Sequence, residues 1–178
     1  MGNKGISRLL SVGESVETKY FNPYEIPLLT LDRTEDTLAK YQGKDLLFVM
    51  VTPKSPFFNA QMQDLKQSQA VLEKRGIQVI GLASNSFNTR GADFEDLKKL
   101  DSSFPIFPWV EANGDYAHPI MKYLKKNTNL YNSKMQKGSR LTQDTAKFFY
   151  NTKTGQTSYF TNDATVGKIL QQQSAAPN

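Results

Sequence analysis

Few residue types in this chain could perform chemistry. Its 178 residues include no cysteine and a single histidine, His118. The lack of thiols excludes a disulfide, a thiolate nucleophile, a cysteine-ligated metal and a redox CxxC motif. One imidazole is too few for a metal site built on histidines, and a Ser-His-Asp arrangement would have to use His118. We therefore expect neither a resident metal nor a cofactor.

Binding of an anion is the other chemistry that the residue types allow. Lys54 stands beside Ser55, just before a predicted helix whose N-terminal amide groups attract negative charge such as a carboxylate or a sulfate. A solvated lysine is the alternative interpretation. The formal net charge is +5, and positions 125–140 contain no acidic residue. This run is typical of a solvated loop, and an anion-binding or nucleic-acid-binding surface is the alternative. Its cations are Lys125, Lys126, Lys134, Lys137 and Arg140.

Two apolar runs of strand length, at 45–52 and 77–83, are the clearest elements of the pattern. A helical pattern at about 60–75 connects them, with Asn59 as the expected N-cap and Gly76 as the expected residue after the helix. Strand, helix and strand with short connections predict a right-handed βαβ unit. The remaining predicted elements are a strand at 25–31, helices at 93–100, 117–126 and 166–173, and a hairpin with strands at 146–151 and 156–160.

This order of elements is that of the thioredoxin fold, although periodicity alone also accepts other small α/β sandwiches. We predict an α/β protein with a thioredoxin-like fold. Its central mixed sheet would contain the βαβ unit and the C-terminal hairpin and would be flanked by helices.

The domain is expected at 21–173, after an N-terminal extension at 1–20 and before a disordered tail at 174–178. No stretch approaches 18 consecutive apolar residues, so no membrane span is predicted. The first residues are too weakly apolar for a signal peptide. Cytoplasmic localisation is the default expectation.

Three sequence motifs follow one another at defined spacings. The strand and loop at 49–55 read VMVTPKS, and the motif NSF follows at 85–87, with its phenylalanine 32 positions after Ser55. FPIF at 104–107, NG at 113–114 and AHPI at 117–120 come next, followed by Leu124 and Lys125. From about 24 to 170 the chain resembles the glutathione peroxidase family, a branch of the thioredoxin-fold superfamily.

The resemblance implies a catalytic site that is degenerate here. The family's nucleophile is a cysteine or selenocysteine activated by a Gln, a Trp and an Asn. Ser55 stands at the nucleophile position and Ser86 at the Gln position, beside Asn85, which is a candidate for the old pocket. In the resemblance, the family's stretch W-N-F-T-K-F maps onto 143–148, which places Gln143 and Asp144 at the Trp and Asn positions, with a one-residue slip left open.

A serine cannot run the usual peroxide chemistry. A thiol with a pKa of about 8.5 can be tuned to a thiolate at neutral pH, whereas a serine hydroxyl needs an adjacent general base. Oxygen also lacks the oxidation ladder of sulfur that lets the catalytic cycle turn over. The alternative role for Ser55 is that of a loop serine that caps backbone amide groups before a helix.

These observations support three interpretations of function. The first is a binding or regulatory pseudoenzyme that has lost peroxidase activity and takes a protein partner or a small anionic ligand. The second is a Cys-to-Ser altered form of an active thiol peroxidase that reduces hydroperoxides with glutathione or thioredoxin. The third is an anion-binding or nucleic-acid-binding module that uses the basic run. Lys54, Asn85, Lys137 and Arg140 are the candidate ligand-binding residues, and the oligomeric state stays open.

Overall fold

The computed structural model describes residues 20–87, 93–132, 134 and 137–175, and the descriptions below concern these residues. The expected extension therefore lies outside the described residues except for residue 20. The helices are α1 (Phe58–Gln67), α2 (Gln69–Lys74), α3 (Phe94–Lys98), α4 (Pro119–Lys126) and α5 (Val166–Ala175). The strands are β1 (Leu28–Leu29), β2 (Glu35–Asp36), β3 (Asp45–Val51), β4 (Ile77–Ala83), β5 (Ile106–Phe107), β6 (Tyr131–Asn132), β7 (Lys137–Gly138), β8 (Lys147–Tyr150) and β9 (Thr157–Phe160).

Five of the strands form a mixed sheet in the order β5-β4-β3-β8-β9. Strand β3 pairs with β4 in parallel and with β8 in antiparallel orientation, and β8 and β9 form the antiparallel hairpin. Strand β5 adds a second parallel pair at the other edge. The predicted thioredoxin-like class, with a βαβ unit and a C-terminal hairpin in one mixed sheet flanked by helices, is confirmed.

Strand β3 separates two apolar clusters. Alternate residues Leu46, Phe48 and Met50 belong to the cluster that includes the buried side of α4. Their neighbours Leu47, Val49 and Val51 belong to the cluster formed with α1, α2 and α5. Because both faces of this central strand are covered, its sequence is a continuous apolar run rather than an alternating one.

The connection between β3 and β4 differs in detail from the prediction. Helix α1 begins at Phe58, so Asn59 lies inside the first turn and is not the N-cap. The reason is the turn at Ser55, whose backbone carbonyl accepts from the Phe58 amide at 3.1 Å and leads directly into the helix. A break at Ser68 then separates α1 from α2. Gly76 follows α2 with a φ of 69°, as its predicted place after the helix requires.

Two other elements also have bounds that differ from the predicted ones. The predicted strand at 25–31 is reduced to β1, because Pro23–Glu25 forms a 3₁₀ turn and Pro27 has no amide hydrogen to donate to a ladder. The last helix, α5, runs two residues beyond the predicted end and includes Ser174 and Ala175 of the expected tail. Among the described residues, no helix combines the length and apolar character that crossing a bilayer requires.

Candidate functional site

Ser55 lies in the turn between β3 and α1, at the carboxyl end of the central strand. The turn is closed by the Ser55 amide, which donates to the Thr52 carbonyl at 2.9 Å, and by the bond from the Phe58 amide to the Ser55 carbonyl. The side chain is buried, with 6% of the residue exposed. The βαβ connection therefore holds this serine at the edge of the sheet with little access to solvent.

The hydroxyl group of Ser55 has a partner on each side. It donates to Oδ1 of Asp144 at 2.8 Å and accepts from the Phe57 amide at 3.2 Å. Thr52, at the end of β3, donates its hydroxyl to the Asp144 carbonyl at 2.5 Å. The serine thus caps a backbone amide before α1, as its alternative role requires, and it also binds a carboxylate.

Asn162, in the loop between β9 and α5, holds the segment that carries Asp144. Its Nδ2 donates to Oδ1 of Asp144 at 3.4 Å, and its Oδ1 accepts from the Thr145 amide at 2.9 Å. Its own amide donates to Oε1 of Gln143 at 3.1 Å, and its carbonyl accepts from Nζ of Lys147 at 2.9 Å. All four polar groups of Asn162 are therefore used on residues 143–147, and Gln143 acts here as a hydrogen-bond acceptor.

Sequence reasoning did not identify Asn162 as a site residue. It lies 18 positions after Asp144, and only the hairpin of β8 and β9 returns the chain to this place. A turn motif such as Thr161–Asp163 has no local signal that would distinguish it from an ordinary loop.

A buried polar layer surrounds this contact. Lys147 is buried, and burial lowers the pKa of its ammonium group, opposed by the charges of Asp64 and Asp163. Gln61 of α1 donates weakly to the Thr145 carbonyl at 3.5 Å. Oε1 of Gln61 and Oγ1 of Thr145 are both buried without a hydrogen-bond partner among the described residues.

Ser86 is committed to a different set of contacts. Its hydroxyl accepts from the Ala112 amide at 2.8 Å and from the hydroxyl of Ser84 at 2.9 Å, while its amide donates to Oγ of Ser84 at 3.0 Å. Within the described ranges, no hydrogen bond joins Ser86 to Ser55 or Asp144. Asn85, beside it, is exposed. The structure therefore brings Ser55 and Asp144 into contact but leaves Ser86 and Asn85 outside that contact.

The candidate cations are distributed differently from their order in the sequence. Lys54 and Arg140 are exposed, and the side chain of Lys137 lies outside the described residues. Lys125, assigned to a solvated basic run, is instead part of α4 and only 4% exposed. Its ammonium group donates to the Ala112 carbonyl at 2.6 Å and to Oδ1 of Asn113 at 2.9 Å.

The prediction that Lys125 belongs to a solvated or anion-binding basic run is therefore wrong. Its ammonium group instead makes hydrogen bonds inside the protein. The side chain is buried because α4 directs it toward the loop at 112–113, where two oxygens replace its hydration. Burial, with a smaller contribution from Arg140, lowers the pKa of Lys125 to about 8.

An exposed aromatic group lies near the carboxyl end of β4. Trp109 has a φ of 58° and is 58% exposed, and its ring meets Phe94 edge-on with centroids 4.7 Å apart. The guanidinium of Arg33, whose φ is also positive at 64°, lies 4.0 Å from the Phe94 centroid. Arg33 and Trp109 are the non-glycine residues with positive φ among the described residues, and both pack on one ring. We call Arg33, Phe94 and Trp109 the Trp109 patch.

The described residues contain no group of three or more His, Asp or Glu side chains placed to hold a metal ion. The contact at position 55 itself presents one serine hydroxyl, one carboxylate and the amides around them.

Known proteins resemble this chain over most of its length. A glutathione peroxidase family model matches residues 23–125. Probable glutathione peroxidase 8 of Arabidopsis thaliana is 29% identical over 58% of this chain and 65% of its own length. Glutathione peroxidase homolog BsaA of Bacillus subtilis is 26% identical over 58% of this chain and 68% of its own length. The matches thus span about two thirds of these curated relatives.

A solved structure agrees in fold. The crystal structure of T. cruzi GPX1 superposes on this chain with a TM-score of 0.65 at 18% identity, and it covers 85% of this chain and 93% of that one. This likeness extends the common fold beyond residue 125, where the family model ends, and the resemblance inferred from the motifs is confirmed. The chain belongs to the glutathione peroxidase family.

Proposed function

We propose that this protein is a glutathione peroxidase homologue that has lost peroxidase activity and acts by binding a protein partner or a small anionic ligand. The observation that carries the proposal is the state of Ser55, whose hydroxyl is buried and bonded to both Asp144 and the Phe57 amide. A nucleophile needs an open approach for its substrate, and this hydroxyl is almost fully withdrawn from solvent.

Chemistry supports the loss of activity. Asp144 accepts the Ser55 proton, as a general base would, but hydroperoxide reduction requires an atom that cycles between oxidation states, and a serine oxygen does not. The chain has no cysteine anywhere that could replace that function or resolve an oxidised intermediate. The chain thus retains the family's fold but lacks the cysteine or selenocysteine that performs the family's redox step.

The binding part of the proposal is supported by the Trp109 patch. Exposed tryptophan and arginine side chains are enriched where proteins recognise partners. Non-glycine residues with positive φ are costly, and they persist where surrounding structure or function requires them. The patch, near the carboxyl end of β4, and Ser55, at the carboxyl end of β3, both lie at the edge of the sheet where α/β proteins commonly bind ligands.

The two alternative functions receive less support. A Cys-to-Ser altered peroxidase would explain Ser55, but it does not explain a carboxylate placed against the nucleophile position. A binding module that uses the basic run could not use Lys125, because that side chain is buried and its ammonium group is already hydrogen-bonded within the protein. Such a module predicts binding that weakens steeply with salt, and weak salt dependence would count against it.

Hydroperoxide consumption tests the proposed loss directly. We expect the unmodified chain to consume no hydrogen peroxide or organic hydroperoxide above a buffer blank, with either glutathione or thioredoxin as reductant. A heat-denatured sample serves as the matched control for trace metal reactivity. Turnover by the native chain that exceeds both controls would refute the proposal.

Thermal unfolding tests the anionic ligand, with sulfate and reduced glutathione as probes. A ligand at 100 times its dissociation constant stabilises the folded state by about 2.7 kcal/mol, which is several degrees for a chain of this size. We expect Lys54→Gln to abolish such a shift and Lys40→Gln, a change of another exposed lysine, to leave it intact. If neither probe shifts the transition of the unmodified chain, only the protein partner remains proposed.

A further inference from the structure

We propose that Asp144 determines the protonation state of position 55, and that its carboxylate excludes an anionic nucleophile there independently of the serine. The inference deepens the proposed function and rests on it. The effect of Asp144 on position 55 should persist when another residue replaces Ser55, because the charge belongs to Asp144 and not to the serine.

The geometry places a full negative charge against the hydroxyl. Oδ1 of Asp144 is the acceptor of the Ser55 proton at 2.8 Å, and Ser55 is almost fully withdrawn from water. Two like charges at this distance repel strongly, and poor access of solvent increases the repulsion. An acidic group at position 55 would therefore stay protonated and donate a hydrogen bond to Asp144.

The carboxylate is held in place by its neighbours. The backbone of Asp144 is fixed by the Thr52 hydroxyl, and its Oδ1 also accepts from Nδ2 of Asn162. Asn162 is itself bonded to Gln143 on the same segment. Because these contacts come from the end of β3 and from the loop after β9, the carboxylate cannot turn away without breaking them.

Within the described residues, the hydrogen bonds to this carboxylate come from Ser55 and Asn162 and not from a basic side chain. Lys54 is exposed, and the ammonium group of Lys147 is directed to the Asn162 carbonyl. The acidic groups Asp64 and Asp163 act on Lys147 instead. Within the described part of the chain, Asp144 forms no ion pair with a lysine or arginine.

One feature of the site acts in the opposite direction. The Phe57 amide and the N-terminus of the ten-residue helix α1 both favour negative charge at position 55. A helix terminus is equivalent to about half an elementary charge, whereas the carboxylate carries a whole one in direct contact. The carboxylate is therefore expected to prevail, and the pKa of a thiol placed at this position would be raised.

The chain itself offers a clean experiment because it has no cysteine. In the Ser55→Cys variant the introduced thiol is unique, and its ionisation is followed by thiolate absorbance near 240 nm as the pH is raised. The unmodified chain provides the baseline for tyrosine ionisation. Absorbance requires no reagent to reach the buried position.

We expect the single variant to titrate above the ordinary thiol pKa of about 8.5. In Ser55→Cys/Asp144→Asn, removal of the charge should lower the pKa by a unit or more and raise the thiolate fraction near pH 7 about tenfold or more. The matched control is Ser55→Cys/Asp163→Asn, which removes an exposed carboxylate from the adjacent loop. Its thiol should titrate as in the single variant, within about twofold in thiolate fraction.

Either of two results would overturn the inference: a single variant that titrates at or below the ordinary value, or a double variant with an unchanged thiolate fraction. Far-UV circular dichroism checks that each variant is folded. If Asp144→Asn does not fold, Ser55→Cys/Asp144→Ser makes the same removal of charge with a smaller side chain. The proposed function fails separately, through hydroperoxide turnover by the unmodified chain, so the two failures can be distinguished.

Discussion

His118 shows how a single residue can remove a class of chemistry. It is the N-cap of α4, where its Nδ1 accepts from the Ile120 amide at 3.0 Å. Burial lowers the pKa of His118 to about 4, so the imidazole is neutral near pH 7 and its lone pair is already used. The only histidine of the chain is therefore structural, and it does not serve as a base for Ser55.

The same residue makes stability depend on pH. Because the folded pKa is about 4 and an unfolded histidine titrates near 6.5, the unfolded state binds more protons between these values. Stability is fully present above about pH 6.5 and is lost as the pH falls toward 4, by up to about 1.4 kcal/mol per pH unit. We expect His118→Asn, which keeps a capping oxygen, to lose less unfolding free energy than the unmodified chain between about pH 6.5 and pH 5.

Urea unfolding at these two pH values measures the difference between the two proteins. Carboxylates titrate in both proteins and cancel in the comparison. Equal losses in the two proteins would show that His118 does not carry the effect.

At the scale of the elements, the packing of β4 against β5 depends on a residue without a side chain. Strand β5 pairs with β4 only at Gly81 and Leu82. A Cβ built on Gly81 would lie 3.0 Å from side-chain atoms of Ile106, Phe104 and Val51. Glycine in a strand interior weakens the strand, and here it permits the close approach of the short edge strand.

Gly81→Ala should therefore destabilise the protein by about 1–3 kcal/mol, because side chains on β3, on β5 and in the loop before β5 would have to shift. The matched control is Gly167→Ala on the exposed side of α5, where a new Cβ would find its nearest heavy atom, Thr165 Oγ1, at 4.0 Å. That change should be neutral or stabilising by up to about 1 kcal/mol. Thermal unfolding of the two variants gives the comparison, and a Gly81→Ala protein as stable as the parent would contradict this account.

At the scale of the whole molecule, one sheet supports two cores. Leu124 of α4 lies in the cluster on one face, and Ile169 of α5 lies in the cluster on the other, both fully buried. Strand β3 contributes alternate residues to both clusters, so neither core can be lost while the sheet remains intact.

We therefore expect Leu124→Ala and Ile169→Ala to act on a single unfolding transition. Each should cost about 2–5 kcal/mol by removing buried methyl groups and leaving a cavity. The emission of Trp109, the only tryptophan, and far-UV circular dichroism should report the same midpoint for each variant. Two separate transitions, one for each variant, would show that the faces unfold independently.

Local pattern and composition determined much of this protein. The two long apolar runs predicted β3 and β4, because a strand covered on both faces has no polar side. The motifs at 49–55, 85–87 and 104–120 identified the family, since they need only residue types and spacing. The absence of cysteine excluded a thiolate nucleophile without any coordinates.

Tertiary structure alone decided what the remaining residues do. Ser55 and Asp144 are 89 positions apart, and their contact exists because β8 lies beside β3 in the sheet. The hairpin of β8 and β9 places Asn162 in the site, and Lys125 is buried because α4 directs its side chain toward the interior. Periodicity reports which side of an element is buried, whereas the partner of a polar group depends on which distant segments the packed sheet brings together.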